Sequence, residues 1–377
     1  MTELRSTFEQ VAVEGVRSLQ PYEPGKPMEE LQREYGLSDI IKLASNENPR
    51  GPGPQAVAAA RDAMAHANRY PDGNGFRLKQ ALAAHHGVAP ETITLGNGSN
   101  DVLALVASTF LGPGREAVFS EHAFAVYAIV TRAVGATARV APAQAPGRAM
   151  PYGHDVDGMR ALVSDKTRVV FVANPNNPTG TWLERAELEE FLRALPGHVI
   201  AVVDEAYCEY SEDPRQPDAL QWLNALPNLV VTRTFSKVHG LAGLRVGYSL
   251  AHPAVADLFN RVRQPFNVSA CAQAAAEAAI ADNAYVRDSV AMNNEQRVWL
   301  RAELEGLGLE VLPSSANFLC VRVGDADAVY AGLLRAGVIV RPIAGYGLPE
   351  WIRVTVGLPQ ENQRFVGALA ALVTTGR

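Results

Sequence analysis

Two runs of this chain, VVFVA from Val169 and VIAVV from Val199, are apolar at every position. An amphipathic helix or a half-exposed strand turns one face to water and cannot carry such a run. A short apolar stretch that ends in a polar cluster fits a strand buried on both faces, the arrangement found in parallel sheets covered by helices on each side. The flanking sequence supplies those helices. Pro54 opens a helix predicted over 54–68, and another is predicted over 76–86. Strands at 92–95, 117–120, 137–140, 168–173 and 199–203 then alternate with helical patterns that include Val102, Leu105, Val106 and Phe110 on one face, 122–134 and 184–195. The expected fold class is α/β, with a mostly parallel sheet flanked by helices.

Past about residue 265 the texture changes. An Ala-rich helix over 270–281, a long helical stretch over 283–307, strands at 318–321, 338–341 and 352–356, and a closing helix with Phe365, Leu369 and Leu372 in register describe a smaller α+β domain. A length of 377 residues accommodates two such units. The expected division is a large domain at 47–265 and a small one formed by 266–377 with the N-terminal arm, 1–46.

Composition narrows the functions open to the chain. Hydrophobic residues make up 47% and charged ones 20%, enough for a large core. A net charge of -6 lacks the basic excess with which proteins neutralise nucleic-acid phosphates. The start, MTELRSTFEQ, has no apolar core of a leader, and no apolar run approaches the ~20 residues that span a bilayer, so a cytoplasmic protein is expected. Cys208, Cys271 and Cys320 are scattered without ligand spacing and read as reduced thiols, with no metal site expected. Adjacent His85 and His86 diverge on a helix and read as a solvated face. Only five lysines, Lys26, Lys42, Lys79, Lys166 and Lys237, stand against 29 arginines, so chemistry that needs a primary amine has few candidates.

In open α/β sheets the ligand crevice lies beyond the carboxyl ends of the strands. Four polar clusters fall there. Gly96-Asn97-Gly98-Ser99-Asn100-Asp101 precedes a helix and offers backbone amides to a phosphate, although alone it reads equally well as helix punctuation. Asn174-Pro175-Asn176-Asn177-Pro178-Thr179-Gly180 is a rigid turn that can aim the Asn177 amide into the crevice. Asp204-Glu205-Ala206-Tyr207 sets a carboxylate at the mouth of a buried strand, where it needs a cation. The fourth cluster carries Ser236, Lys237 and Arg245 in an apolar, Gly-rich stretch that would desolvate the amine and make it a nucleophile toward aldehydes. A phosphate loop, a carboxylate, an amide and an amine with an arginine together suit pyridoxal 5'-phosphate.

The segments SNENP at Ser45, NPNNPTG at Asn174, VVDEAY at Val202, TFSKVHGLAGLRVGY at Thr234 and RPIAGYGLPEWIRVTVG at Arg341 occur in this order. Together they resemble the fold-type-I pyridoxal-phosphate aminotransferases, and within them the histidinol-phosphate branch. That resemblance implies that Lys237 bonds the cofactor aldehyde and shuttles a proton, that Asp204 pairs with the pyridine nitrogen, and that Asn177 and Tyr207 hold the ring oxygen. It assigns the phosphate to Ser99, Asn100, Ser236 and Arg245, and stacking on the ring to Phe124. Phe124 and Tyr207 also fit as plain core aromatics. Substrate contacts would come from Asn46, Arg341, Arg353 and Tyr22, and from Tyr70 across a homodimer interface. Arg50 stands where these enzymes commonly have an aromatic residue, and would add charge near the entrance. The expected reaction exchanges an amino group between histidinol phosphate and 2-oxoglutarate in histidine biosynthesis. Aromatic amino acid transamination is the nearest alternative; a phosphate-substrate decarboxylase and a non-catalytic cofactor-binding regulator are more distant ones.

Overall fold

The computed structural model describes residues 8–21 and 24–373, so Tyr22 lies outside the described residues. The first strand, β1 (Ile41–Lys42), stands apart from the central sheet. That sheet is built from β2 (Ile93–Gly96), β3 (Glu116–Ser120), β4 (Thr137–Ala141), β5 (Thr167–Ala173), β6 (Ile200–Asp204), β7 (Leu229–Thr234) and β8 (Gly247–Ala251), in the order β2-β8-β7-β6-β5-β3-β4. Only β8 runs antiparallel to its neighbours.

The two apolar runs are β5 and β6, at the middle of this sheet. Val169, Phe171 and Val202 face a layer with Leu103, Val106, Tyr127 and Phe259, whereas Val170, Val172, Ala201 and Val203 face Leu188, Phe191 and Leu192. Alternate residues thus bury on opposite faces, and each large apolar side chain removed from water contributes about 1.5–3 kcal/mol. Asp204 ends β6, Ala173 ends β5 and Thr234 ends β7, which brings three of the polar clusters to one edge of the sheet.

A second sheet, β12-β13-β10-β9, is antiparallel: β9 (Glu310–Val311), β10 (Phe318–Arg322), β12 (Arg341–Pro342) and β13 (Trp351–Thr355). Leu300, Leu304, Phe365 and Leu369 from helices Asn283–Gly306 and Pro359–Val373 cover it. The strand expected at 338–341 is in fact two. Its first half, β11 (Val338–Ile339), pairs in parallel with β1, while Arg341 and Pro342 pair with β13, so the run divides between two partners. Through β1 and the cluster Leu31, Ala44, Leu334 and Ile339, the later part of the N-terminal arm packs on the small sheet. Its earlier helix, Glu14–Arg17, lies instead on helix Ala125–Ala133, where Gly15 meets the Arg132 carbonyl too closely for any side chain.

Three further differences have local causes. The helix from Pro54 ends at Met64, because the amides of Ala65, His66 and Ala67 bond three residues back and tighten the chain out of α-geometry. Strand β8 and helices Val156–Ala161, Pro253–Val262 and Ala326–Arg335 are additional to the elements expected from sequence. His86 is no solvated residue: it is half-buried, its Nε2 lies 2.8 Å from the Tyr248 hydroxyl, and burial pushes its pKa down to about 3. Among the described residues no helix is long and apolar enough to cross a membrane.

Candidate active site

A cavity of about 500 Å³ opens where the carboxyl ends of β5, β6 and β7 meet the small sheet. Ser99, Asn100, Phe124, Asn177, Asp204, Tyr207, Ser236, Lys237 and Arg245 all line it, and so do Asn46, Arg341 and Arg353. The fold therefore gathers twelve of the fourteen residues singled out from the sequence. Of the other two, Tyr22 is not described, and Tyr70 is 82% exposed on the outer surface, stacked on Phe266 at 4.6 Å.

The anion end is built from close backbone approaches. Helix Ser99–Phe110 begins directly after Gly98, whose left-handed φ of 78° only glycine adopts freely. A Cβ on Gly247, at the start of β8, would lie 2.5 Å from the Ser99 amide nitrogen, so glycine there lets the strand touch the helix start. Arg245 Nη1 donates to Ser236 Oγ at 3.1 Å and to the Ala242 carbonyl at 3.1 Å. Helix-start amides, a hydroxyl and a guanidinium thus converge as a phosphate cup requires.

Lys237 extends from the segment after β7, and its Nζ donates to the Ser45 carbonyl at 3.1 Å and lies 5.5 Å from the Tyr207 ring centre. Burial, reinforced by the positive charges of Arg353 and Arg245, lowers its pKa to about 7 against the opposing pull of Glu47 and Asp204. Asp204 behaves in the opposite sense. Burial raises its pKa, and a hydrogen bond from Tyr127 works against that rise. Its Oδ2 accepts from the Tyr127 hydroxyl at 3.0 Å, while its Oδ1 is buried without a protein partner. A buried carboxylate in a cavity wall, with one oxygen short of a hydrogen bond, leaves room for a donor from a ligand, and a protonated pyridine nitrogen fits that demand.

The opposite wall comes from the small sheet. Arg353 on β13 donates from Nη1 to Asn177 Oδ1 at 2.5 Å and from Nη2 to the Ala44 carbonyl at 2.8 Å, over the Phe318 ring. Arg341 on β12 is its register partner. Two like charges set opposite each other on neighbouring strands are unfavourable unless an anion lies between them. Asn46, in a left-handed conformation at φ 56°, ties the two halves together: its amide nitrogen donates to Thr355 Oγ1 at 2.9 Å and its Nδ2 to the Tyr207 hydroxyl at 3.0 Å.

Sequence reasoning missed Tyr127, Glu47 and the Ser45 carbonyl. Tyr127 sits in an apolar helix and reads as core, and nothing in its neighbours signals a polar partner. Arg50 corrects an expectation. It does not line the cavity but turns to helix Asn283–Gly306, lying over the Tyr285 ring at 5.0 Å and donating to Ser289 Oγ at 3.1 Å. An aromatic surface drew the guanidinium away from the entrance.

Known proteins share this architecture. The family model for aminotransferase class I and II matches residues 38–369. A histidinol-phosphate aminotransferase of Pseudomonas fluorescens is 55% identical over 369 residues, 97% of this chain and 98% of that protein. One of Pseudomonas aeruginosa is 53% identical over 371 residues, covering 98% and 99%. The crystal structure of histidinol-phosphate aminotransferase from Sinorhizobium meliloti in complex with pyridoxal-5'-phosphate superposes with a TM-score of 0.88 at 30% identity, over 97% of this chain and 98% of that one. With the match running through both sheets and every segment that lines the cavity except that of Gly25, the chain belongs to the class I and II aminotransferases.

Proposed function

We propose that this chain is a pyridoxal-phosphate-dependent transaminase that exchanges an amino group between histidinol phosphate and 2-oxoglutarate. The observation that carries the cofactor assignment is the pairing, in one cavity, of an amine held near pKa 7 with a buried carboxylate oxygen that has no protein partner. Ser99, Asn100, Ser236 and Arg245 hold the phosphate, Phe124 covers the ring face, Asn177 and Tyr207 reach the ring oxygen, and Asp204 meets the ring nitrogen. When bound, pyridoxal phosphate supplies an aldehyde for amino-group capture and an electron-accepting ring.

The chain's own residues do the rest. Lys237 Nζ, uncharged in a large fraction near neutral pH, would take the proton from the substrate α-carbon and deliver it to the cofactor's aldehyde carbon, and would run the same transfer in reverse in the second half of the reaction. Asp204, whose charged form the Tyr127 hydrogen bond favours against burial, would hold a proton on the ring nitrogen. Arg353 and Arg341 orient the anionic end of the substrate, and the Ser45–Asn46 turn shields the amine from water. Two guanidiniums side by side favour a phosphate over an uncharged aromatic side chain, which supports histidinol phosphate as donor. The relatives that share more than half of its residues bear the name of that activity.

The reading extends to assembly and place. Tyr70 is too exposed to serve the cavity of its own chain and would complete that of a second copy, in a cytoplasmic homodimer. The decisive experiment supplies the purified protein with pyridoxal phosphate and 2-oxoglutarate, and compares glutamate formation from histidinol phosphate and from phenylalanine. Faster turnover of phenylalanine would reverse the substrate assignment.

A further inference from the structure

Asp204 needs explaining on its own terms, because a carboxylate at the end of a buried strand is costly and its value to a ring nitrogen depends on keeping its charge. Its surroundings offer mainly neutral donors. It ends β6 opposite Thr232 on β7, whose side chain, like the backbone of Ala206, favours the charged form by hydrogen bonding, and Lys237 acts on it across the cavity. Lys237 itself, with its pKa lowered to about 7, gains and loses its proton around neutral pH and is not a steady counter-ion. From helix Ala125–Ala133, the third element packed against it, comes one polar group, the hydroxyl of Tyr127, which donates to Oδ2 at 3.0 Å.

Tyr127 is held for this contact. It is fully buried, its ring lies parallel to Phe171 with centres 4.7 Å apart and planes 5° apart, and Phe124 meets it edge-on at 5.9 Å. Phe171 belongs to β5, so the ring is clamped between the sheet and the residue that covers the cofactor ring. A phenol in this setting is a one-way device: it donates, and burial with the Asp204 charge keeps its proton on at any working pH. The geometry also chooses between the two carboxylate oxygens. Oδ2 is taken by Tyr127, while Oδ1 is buried without a hydrogen bond at normal distance, on a residue that lines the cavity.

We propose that Tyr127 is a positioning residue that, by occupying Asp204 Oδ2, fixes the carboxylate plane and reserves Oδ1 for the ring nitrogen of the cofactor, thereby setting how firmly that nitrogen keeps its proton. The proposal rests on the pyridoxal-phosphate reading above. Phe124 and Tyr127 then form one unit, three residues apart on a helical start, in which one ring stacks on the cofactor and the other governs its acid. Phe171 backs the unit from the sheet.

The test uses the holoenzyme loaded with pyridoxal phosphate carrying ¹⁵N in the ring, and reads the ring-nitrogen chemical shift against pH for wild type and Tyr127→Phe. Phenylalanine keeps the stack on Phe171 and removes only the donor. The ring-nitrogen pKa is expected to rise by about one unit, a tenfold change, since a carboxylate that loses a donor becomes the stronger base and holds the adjacent N–H proton more firmly. Replacement of Tyr127 by 3,5-difluorotyrosine, a stronger donor of nearly the same shape, is expected to move the pKa the other way, and it serves where the phenylalanine variant does not fold. An unchanged ring-nitrogen titration in a folded, loaded variant overturns the proposal while leaving the functional reading intact. Failure of the wild type to take up pyridoxal phosphate overturns both.

Discussion

Lys237 is one of only five lysines, and its surroundings bring its loss of a proton down to neutral pH. Its ordinary value of 10.5 falls to about 7 on folding, so the uncharged fraction grows as pH rises through 7. Competitive acylation of the cofactor-free protein is expected to label Lys237 half-maximally near pH 7, with Lys26, whose contacts with Glu34 and Glu30 raise its pKa, requiring far more alkaline solution. The same shift destabilises the fold: the cost of the buried charge is full below about pH 7 and is relieved as pH rises toward 10.5, where the unfolded chain also loses its proton. Lys237→Ala is expected to abolish the yellow chromophore with pyridoxal phosphate and all turnover, as absorbance and glutamate assays would show. Arg341→Ala tests the anion wall. Loss of a charge-assisted contact of about 1.5–3 kcal/mol should raise KM for histidinol phosphate on the order of ten- to a hundredfold, with a smaller change for 2-oxoglutarate. Equal effects on the two substrates would remove Arg341 from the donor phosphate.

At the level of elements, the cluster after each strand was legible because its position follows from a rule of sheet topology, and burial of charged or amide groups there has few explanations. Asp204 and Lys237 stood out for that reason. Tyr127 did not, because a tyrosine among Ala125, Val126, Ala128 and Ile129 looks like packing, and its polar partner arrives from a strand far along the chain. Strand β8 escaped notice since GYSLA follows a glycine-rich loop and lacks the unbroken apolar character of β5 and β6. Yet β8 matters to the site through Gly247. Gly247→Ala should force β8 off the Ser99 amide, at about 1–3 kcal/mol of overpacking, and weaken cofactor retention accordingly. Gly243→Ala, with open space around the added carbon, is the control and should stay within about twofold of wild type. Equilibrium binding of pyridoxal phosphate distinguishes them; equal losses would show that Gly247 acts through general stability alone. On the small sheet, Phe365→Ala removes a fully buried ring and is expected to cost about 3–5 kcal/mol in urea unfolding.

For the whole molecule, the proposed division into a large domain at 47–265 and a remainder that includes the arm predicts where the chain bends, and Asn46 stands at that border. Its left-handed backbone and its bonds to Tyr207 on one side and Thr355 on the other make it one of the contacts that tie the two parts together. Homodimer formation has its own test. Mixing Tyr70→Ala with Lys237→Ala subunits, after mild dissociation and reassembly, should restore activity above either parent, because one hybrid cavity then holds both native residues. Absence of recovery, with hybrids shown to form, would confine Tyr70 to a surface role. Sequence alone suggested this sharing through a resemblance; the chain's own geometry adds that Tyr70 is exposed and does not line the cavity around Lys237.

The pairing of Ile41 with Val338 carries a consequence for how the polypeptide is made. Strands β2 to β8 all lie within one continuous stretch, so the ribosome can release them in an order that lets the central layer assemble early, whereas β1 must wait until almost the last turn of synthesis for its mate. The turn that shields the reactive amine hangs from that late pair. A nascent chain therefore completes its scaffold before its catalytic pocket, and truncation ahead of Val338 would leave a folded but open shell.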